Sequence, residues 1–491
     1  MSVHETATDT IAAISTPPGR GGIGIVRLSG PLAASIAGQL VRLRHPLEHA
    51  HARLADVLDA DSGEAARIDE ALVTFFRAPN SYTAEDLVEI AAHGSPVVLD
   101  LLLRRALALG ARLAEPGEFT ERAFLSGRLD LTQAEAVRDL IDAQTLTQAR
   151  QAASQMGGAL SRRVAPMKQQ LVDLVALLEA GIDFAEDDVD ITPQQEIARR
   201  IAELTSPLAA LDASFARGHV VHDGLTLAIV GRPNAGKSSL FNRLVERDRA
   251  IVTATPGTTR DLVTERISIG GIPIEMVDTA GLREGREEAE QLGIARSREA
   301  LADAALVLIV LDATQPLNDE EHRLLAAVEG RPAIVAINKS DLAKPHRPDA
   351  SHSLAGEGAA GAPSLAVFFR DQGGKESCLL PHSEIEDTLT TLPTSALTGE
   401  GIPALREKIL ALATGGAAAE PGMLTNLRQH QAIATALTAL GDAAKANESG
   451  IPHEMILLDL YRALWALDSL TGQTTPDDIL NVIFSSFCIG K

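Results

Sequence analysis

The chain has 491 residues, 45% of them hydrophobic and 3% aromatic, and its 44 Lys and Arg against 66 Asp and Glu give a formal net charge of −22. This length is too great for one core and predicts about three domains. The excess of acidic residues argues against binding of nucleic acid through a broad basic surface. It is compatible with a local basic patch or with a basic partner protein that binds the nucleic acid. Two distant cysteines exclude a disulfide framework, and no apolar run reaches the roughly 18 residues of a membrane span, so we expect a cytoplasmic protein.

The first 122 residues combine short strands with a helix, the pattern of a small α+β domain. Apolar runs predict strands at residues 11–13, 24–28, 72–76 and 87–91. Apolar spacing before Gly110 predicts a helix over 96–109. Arg27 and Glu89 lie inside predicted strands, where a charge either faces solvent or needs a partner or ligand. The Gly-rich turn at 17–22 lacks the Lys-Ser and following helix of a phosphate loop, so this stretch alone identifies no ligand.

Helical periodicity runs from about residue 121 to 217 and returns from about 422 to the end. Leu171, Leu174, Val175 and Leu178 recur at three and four residues, and Thr-Pro pairs predict further helix starts at 193 and 476. The acidic cluster at 186–190 lacks the spacing of a calcium loop, which favours a solvated loop over a metal site. Both helical parts are too apolar for linkers, so we expect them to form one bundle with the intervening domain inserted.

Residues 231–239 (Gly-Arg-Pro-Asn-Ala-Gly-Lys-Ser-Ser) follow a predicted strand at 225–230 and precede apolar residues at helical spacing. In that context, G-x-x-x-x-G-K-S predicts a loop whose N–H groups bind a polyphosphate. The lysine places a charge on the outer phosphates and the following Ser offers a hydroxyl to Mg²⁺. A Gly-rich turn that matches by chance is the alternative, which the downstream motifs disfavour. The predicted nucleotide-binding residues of this loop are Asn234, Ala235, Gly236, Lys237, Ser238 and Ser239.

Three further motifs follow in the order expected of a GTPase. A predicted strand at 272–277 is followed by Asp278, Thr279, Ala280 and Gly281. There the Asp can hold Mg²⁺ through water and the Gly can donate its N–H to the γ-phosphate. The strand at 333–337 leads into Asn338, Lys339 and Asp341, and a carboxylate there accepts the N1 and N2 hydrogens of guanine, which selects GTP over ATP. We expect the base to be covered by Ser395, Ala396 and Leu397.

Hydrolysis requires a residue to orient water, and the usual position carries none. Residues 253–260 lie where a switch loop is expected, with Thr259 as the predicted second Mg²⁺ ligand. Leu282 stands where Ras-like enzymes have a Gln, so hydrolysis must use another residue or stay slow. Nearby candidates are Arg260, Arg283 and the acids within 284–290. Residues 346–374, rich in Gly, Ala, Pro and Ser, predict a surface insertion that leaves the domain topology intact.

Taken together, these motifs resemble the MnmE (TrmE) family of tRNA-modification GTPases. The matching stretches are 17–25, 79–81, 116–119, 231–239 and 487–491, of which the Pro-Pro-Gly-Arg-Gly-Gly turn and the Phe-Cys-Ile-Gly-Lys ending are the most family-specific. The resemblance implies a multidomain α/β protein with three parts. These are an N-terminal tetrahydrofolate-binding α+β domain at 1–122, a discontinuous α-helical bundle at 123–218 and 414–491, and an inserted Ras-like P-loop G domain at 219–413.

The resemblance also implies an activity and partners. It predicts a homodimer that forms a heterotetramer with the FAD-containing MnmG (GidA) protein and acts on tRNA. The pair would add an aminomethyl or carboxymethylaminomethyl group to C5 of the wobble uridine, U34, through K⁺-stimulated GTP hydrolysis. The one-carbon unit would come from a tetrahydrofolate derivative of the 5-formyl or 5,10-methylene type. The acidic composition agrees with a partner that supplies much of the tRNA grip.

Carried over by position, the resemblance assigns three sets of residues. Arg27, Glu89, Arg128 and Lys491 would contact the folate; the family usually has Lys at Arg128, and Arg keeps the charge but not the geometry. Glu290 would orient water, and Cys488 would lie near the folate. Lys237 and Arg260, which the motifs themselves predict, complete the catalytic set. K⁺ would bind Asn234, Thr253, Thr255 and Thr258 between two G domains. The predicted GTP contacts of the switch loop are Thr253, Ala254, Thr255, Pro256, Gly257, Thr258 and Thr259.

Two alternatives from other classes stay open. Ribosome-assembly GTPases share the Gly-Arg-Pro-Asn loop, but they usually append a basic RNA-binding domain, whereas the C-terminal region here is helical and not basic. A folate-binding module with a purely regulatory G domain is the other.

Overall fold

The computed structural model describes residues 9–59, 66–183, 193–245, 263–278, 304–342, 368–370, 376–378, 389–416, 420–473, 480 and 483–490. The chain forms two compact units. The first comprises Met1–Ile141, Ala152–Ala210 and Gln431–Lys491, and the second comprises Asp142–Gln151 and Leu211–His430. Within the described residues, no helix is both long enough and apolar enough to cross a membrane.

A seven-stranded sheet opens the first unit. Its strands are β1 (Ile11–Ile14), β2 (Gly21–Ser29), β3 (Val41–Leu43), β4 (Ala52–Asp59), β5 (Ala66–Phe76), β6 (Leu87–Gly94) and β7 (Arg112–Leu113). They lie in the order β3-β4-β5-β6-β2-β1-β7, antiparallel except for the β1–β7 pair. Helices α1 (Ala33–Leu40) and α2 (Pro96–Ala108) pack with one face of the sheet in a single core.

Alternation along β2 explains where its charge lies. Val26 and Leu28 are buried in that core, whereas Arg27 between them points to the other face because successive side chains alternate along a strand. Arg27 is paired in register with Glu89 of β6. The sheet therefore places two of the four predicted folate contacts next to each other, on the face opposite α1 and α2.

The sequence continues as helices, as its periodicity predicted. They are α3 (Glu118–Leu125), α4 (Leu131–Asp142), α5 (Leu146–Met156), α6 (Ala159–Asp183) and α7 (Gln194–Ala213). All four apolar residues used to predict α6 are buried. The start of α7 follows Pro193 directly, as predicted, whereas Thr192 lies outside the described residues.

A six-stranded sheet forms the centre of the second unit. The strands of this sheet are β8 (Leu225–Val230), β9 (Val263–Ile269), β10 (Ile272–Asp278), β11 (Leu306–Asp312), β12 (Ala333–Asn338) and β15 (Thr390–Pro393). The helices of the same unit are α8 (Phe215–Asp223), α9 (Lys237–Val245), α10 (Asp319–Ala327) and α11 (Ile402–Thr414). A separate strand pair consists of β13 (Phe368–Arg370) and β14 (Glu376–Cys378). The main order is β15-β12-β11-β8-β10-β9, parallel except for the β9–β10 hairpin.

Parallel central strands explain the continuous apolar runs of the sequence. Leu227 and Ile229 pack with α9 and α11 on one face, and Ala228 and Val230 belong to a second core on the other. Because both faces are covered, every residue of β11 is buried. The carboxyl ends of β8, β11 and β12 therefore meet at one edge of the sheet.

The last helices return to the first unit. They are α12 (Leu427–Glu448) and α13 (His453–Thr471), and α13 lies along α6, where Lys168 pairs with Asp468 and the Tyr461 hydroxyl contacts Glu179. Phe484 and Phe487 near the chain end share a core with Leu131 of α4. Helices from both sides of the nucleotide-binding segment thus pack together, while the three-domain division stays a prediction.

Several elements differ from the sequence-based expectation. The strand predicted at 72–76 begins at Ala66, and α1, β3, β4 and β7 were not predicted. Of the insertion expected at 346–374, residues 368–370 are described and form β13. The helix start predicted at 476 lies outside the described residues.

Candidate nucleotide and ligand sites

The phosphate loop joins β8 to α9 through a tightly turned backbone. Gly231 has a φ of +148° and a side chain there would lie 2.2 Å from the Val310 carbonyl oxygen of β11. Gly236 has a φ of +96°, and its Cβ would lie 2.1 Å from Nδ2 of Asn338. Asn234 between them also has positive φ, at 66°. Only residues without a bulky Cβ, or with a short polar side chain, accept this geometry readily.

Lys237 is folded over the loop that precedes it. Its Nζ donates hydrogen bonds to the carbonyl oxygens of Gly231 (2.6 Å) and Arg232 (2.9 Å), and the residue is buried. Ser238 and Ser239 follow in the first turn of α9 and are exposed. The ammonium, the hydroxyls and the N-terminal end of α9 therefore lie on the same short stretch, the arrangement that binds phosphate.

Asn338 connects three loops. Its Nδ2 donates to the Ala235 carbonyl oxygen of the phosphate loop (2.9 Å), and its Oδ1 accepts from the Ala396 backbone N–H (3.0 Å). The predicted phosphate, base and base-covering residues are thus brought together around one buried amide. Asp341 follows Asn338 by three residues and is exposed, and Leu397 is 81% exposed. Both side chains are therefore accessible to a base.

A buried carboxylate that the sequence reading missed stands behind this junction. Asp312, at the end of β11, accepts hydrogen bonds from Lys339 Nζ (2.7 Å) and from the backbone N–H and hydroxyl of Thr314 (2.9 and 2.6 Å). Burial raises the pKa of Asp312, but the Lys339 and Thr314 hydrogen bonds outweigh it and hold the pKa below its usual value. Its position matches that of Asp278, which also ends a buried strand, and this was the signal available.

Several predicted residues cannot be placed. The side chain of Asp278 is outside the described residues, although its backbone ends β10. The described residues also exclude Leu282, the catalytic candidates Arg260 and Glu290, and the folate candidate Lys491. They exclude as well the predicted residues of the two switch segments, which are Thr253, Ala254, Thr255, Pro256, Gly257, Thr258, Thr259, Thr279, Ala280 and Gly281. No cluster of three His, Cys, Asp or Glu suited to a metal occurs among the residues that are described. A Mg²⁺ held by the Ser238 hydroxyl and nucleotide phosphates would not need one.

A second candidate site lies on the sheet of the first unit. Nε and Nη2 of Arg27 both donate to Oε1 of Glu89, at 3.0 and 2.7 Å, and each side chain is about a quarter exposed. The Arg27 guanidinium carbon lies 5.7 Å from the ring centre of Tyr82 and 5.5 Å from that of Phe119. The charges in the apolar strands are therefore partners of each other, which answers the alternative of solvent-facing charges.

Arg128 joins the same group through Tyr82. Its guanidinium carbon lies 5.3 Å from the Tyr82 ring centre, and its Nη1 donates to the Tyr82 carbonyl oxygen (2.6 Å). Burial raises the pKa of Tyr82, more than its Thr120 hydrogen bond and the two arginines lower it. Arg27 and Arg128 thus lie over one aromatic ring, and Glu89 joins them through its ion pair with Arg27. Sequence reasoning missed this ring, although Tyr82 directly follows the matched 79–81 stretch.

A charge network on α3 supports this region. Arg122, buried to 6% exposure, pairs with Asp9, Glu85 and Glu118, and Arg112 pairs with Asp9 and Glu118. A buried ion such as Arg122 is stable only with partners, so its pairs with Asp9, Glu85 and Glu118 fix α3 against the start of β1. Phe119 and Thr120 of the same helix contact Arg27 and Tyr82.

The comparisons with known proteins agree along the chain. The family model "GTP-binding protein TrmE N-terminus" matches residues 10–128, and "MnmE helical domain" matches residues 131–488. Curated proteins named tRNA modification GTPase MnmE include one from Koribacter versatilis, 55% identical over 98% of this chain and 99% of its own length. Another, from Moorella thermoacetica, is 41% identical over the same shares of both chains.

Among solved structures, the G domain of the T. maritima FeoB iron transporter is 25% identical and covers 38% of this chain and 98% of its own, with a TM-score of 0.25. The family assignment rests on the models and the full-length relatives. This chain belongs to the MnmE family of tRNA modification GTPases.

Proposed function

We propose that this GTPase uses K⁺-stimulated hydrolysis to drive, with a FAD-containing partner of the MnmG type, modification of C5 of the wobble uridine in certain tRNAs. The observation that carries the proposal is the junction at Asn338, where the phosphate loop and two later segments meet. A site that joins a polyphosphate loop to an exposed Asp341 suits a guanine nucleotide.

The described residues have distinct tasks in this scheme. The loop N–H groups and the start of α9 receive the phosphates, and Lys237 exchanges its carbonyl contacts for the outer phosphate oxygens. Asp341 accepts the two guanine N–H groups, and Leu397 covers the base. Together they hold the nucleotide so that the γ-phosphate faces the predicted switch residues.

Hydrolysis itself falls to residues outside the described ones. Glu290 would orient the attacking water, and Arg260 belongs to the predicted switch loop at 253–260. Ser238 and Thr259 would hold Mg²⁺, while Asn234, Thr253, Thr255 and Thr258 would hold K⁺, and these ions would supply positive charge to the transferring phosphoryl group. Formation of a G-domain pair on GTP and its release on hydrolysis would be transmitted through the helical bundle.

The sheet of the first unit suits a folate. Arg27, Glu89 and Arg128, with Lys491, would bind a tetrahydrofolate derivative that supplies a one-carbon unit. Both Arg27 contacts use the same Glu89 oxygen, so the partly exposed carboxylate retains an edge that can accept from a pterin. The rings of Tyr82 and Phe119 add an aromatic surface beside it.

Nucleoside analysis of tRNA tests the proposal. A strain from which the gene is deleted should lose the modified wobble uridine, and the intact gene should restore it. Lys237→Ala should fail to restore it, whereas the control Lys445→Ala, at a side chain 79% exposed on α12, should succeed.

Unchanged wobble nucleosides in the deletion strain would contradict the proposal. Co-sedimentation with ribosomal subunits only in the GTP state would support the ribosome-assembly alternative instead. A Glu290→Ala variant that loses hydrolysis but retains full modification would favour a regulatory G domain.

A further inference from the structure

We propose that Asp312 is a positioning residue of the nucleotide site, which acts by fixing Lys339 and, with Glu321, by tying the base-binding segment to the phosphate loop. The inference deepens the proposed function and rests on it. None of the predicted binding residues includes Asp312, Glu321 or Thr314.

The first link is between Asp312 and Lys339. Lys339 has a φ of +63°, an uncommon conformation for a non-glycine residue, and its Nζ is 2.7 Å from Asp312 Oδ2. Because both ends of the side chain are held, its stem has one direction. Asp341 lies only two residues after Lys339, so a fixed Lys339 also limits the positions that the Asp341 carboxylate can take.

The second link is between the same carboxylate and the phosphate loop. Nη2 of Arg232 lies 3.8 Å from Asp312 Oδ2, and Nε of Arg232 lies 3.3 Å from Glu321 Oε1. Asp312 and Glu321 are 3% and 1% exposed. At these separations the Arg232 contribution is Coulombic, and burial makes it stronger than at the surface.

Glu321 is itself held rigidly. It lies in the first turn of α10, where its Oε2 accepts from the Asn318 N–H (3.0 Å) while its own N–H donates to Asn318 Oδ1 (2.9 Å). This reciprocal pair is a capping box, so Glu321 cannot move without loosening the helix end. The Glu321 carboxylate thereby anchors Arg232 to α10. The Asp312 carboxylate likewise anchors Lys339 to Thr314.

The consequence is a ground-state effect on nucleotide binding. Removal of the Asp312 charge frees Lys339 and leaves two neighbouring cations without their shared anion. The loops then sample arrangements that do not fit a nucleotide, whereas a nucleotide once bound restores the geometry. Affinity should therefore fall while the rate at saturation is retained.

The test measures binding of a fluorescent GDP analogue and GTP turnover by the full-length protein. Asp312→Asn should weaken binding and raise KM by about tenfold, the loss of one hydrogen bond to a charged group, with kcat unchanged. In a Lys339→Ala background the same substitution should change affinity less than about twofold, because its target is already absent.

A milder pair guards against a variant that fails to fold. Thr314→Val removes the hydroxyl that holds Asp312 but no charge, and it should weaken binding in the same direction, again only when Lys339 is present. Thr414→Val is the matched control, since that hydroxyl also makes one hydrogen bond in the same unit, to the Leu410 carbonyl oxygen of α11. It should leave affinity unchanged, and thermal melts should show all variants folded.

Additive losses in the Lys339→Ala background would overturn the inference, as would an Asp312→Asn variant with unchanged or tighter nucleotide binding. A purely structural role would lower the unfolding temperature without this dependence on Lys339. Failure of the proposed function is distinguishable, because it would appear as an absence of guanine-nucleotide binding or turnover in the unmodified protein.

Discussion

At Gly236, a single hydrogen atom in place of a side chain allows the phosphate loop and the base-binding segment to touch. A Cβ there would lie 2.1 Å from Asn338 Nδ2, the atom that donates to Ala235. Displacement of the Asn338 side chain would also break the hydrogen bond that its Oδ1 accepts from the Ala396 backbone N–H. One residue therefore controls the junction of three loops.

Gly236→Ala should accordingly weaken GTP binding by at least about tenfold, because it breaks two hydrogen bonds of the buried Asn338 at the junction. Gly330→Ala is the matched control, since Gly330 also has positive φ, at +76°, but no atom lies within 4 Å of its Cβ position. Both should share a backbone strain of about 1–2 kcal/mol. Equal GTP affinities for the two variants in a titration would refute the junction.

Residue chemistry explains what the sequence could reveal here. Lys237, Asn338 and Asp341 are recognisable because each serves one task at a fixed spacing from the others. Asp312 is different, since its task depends on Lys339 arriving from the next strand, and the sequence alone does not show which strands are neighbours. The same reason hid the Arg27–Glu89 pair, although both strands were predicted.

At the scale of the element, α3 carries two acids with opposite behaviour. Burial raises the pKa of Glu118, but hydrogen bonds from Arg112, the Glu115 N–H and Arg122 outweigh it and hold the pKa below 4.5. Burial raises the pKa of Glu121 above 4.5, and the carboxylates of Glu118 and Glu115 raise it further. Ionised Glu118 thus stabilises the fold, whereas ionised Glu121 costs stability.

The two carboxyl groups therefore make the stability of the fold depend on pH in opposite directions. The Glu118 contribution is present above pH 4.5 and lost as the pH falls through its lower folded pKa. The Glu121 penalty is absent below pH 4.5 and grows as the pH rises through its higher folded pKa. Thermal unfolding midpoints at about pH 4 and about pH 7 measure both.

At the higher pH, Glu121→Gln should raise the midpoint and Glu118→Gln should lower it, and both differences should shrink at the lower pH. The two variants are mutual controls, because they make the same substitution three residues apart on one helix. A Glu121→Gln variant less stable than the parent at neutral pH would contradict the assignment.

Elements with continuous apolar runs were predicted most closely. The bounds of β8 agree with the sequence-based prediction and those of β12 differ from it by one residue, because strands covered on both faces show an unbroken apolar signal. By contrast, β4 (Ala-Arg-Leu-Ala-Asp-Val-Leu-Asp) has one face exposed and small or charged residues along it, with Leu54 at 43% exposure. Its signal is too weak to distinguish from a loop.

The first unit brings together three segments that are separated along the chain. Phe484 and Phe487, close to the end, are buried with Leu131 of α4, and Ile489 forms a bridge with Pro116. The return of helical periodicity after the nucleotide-binding segment predicted that helices from both sides would meet. It did not predict that the final residues pack on α4, since no pattern marks the partner of a buried aromatic.

Truncation of this contact should destabilise the first unit. Phe484→Ala removes a side chain at 2% exposure and should cost about 3–5 kcal/mol of unfolding free energy. Trp465→Ala, at 58% exposure on α13, removes a larger aromatic and should cost less than about 1 kcal/mol. Denaturant unfolding followed by circular dichroism compares them, and equal losses would show that the chain end is not part of this core.

The assigned nucleotide and K⁺ sites are tested together by GTP turnover of the purified full-length protein in K⁺ and in Na⁺ at matched ionic strength. We predict hydrolysis of GTP but not ATP, faster in K⁺, with the K⁺ preference lost in Asn234→Ala and all turnover lost in Lys237→Ala. Equal rates in both salts would remove the assigned K⁺ ligands. Absence of GTP turnover, or equal hydrolysis of ATP, would contradict the nucleotide site itself.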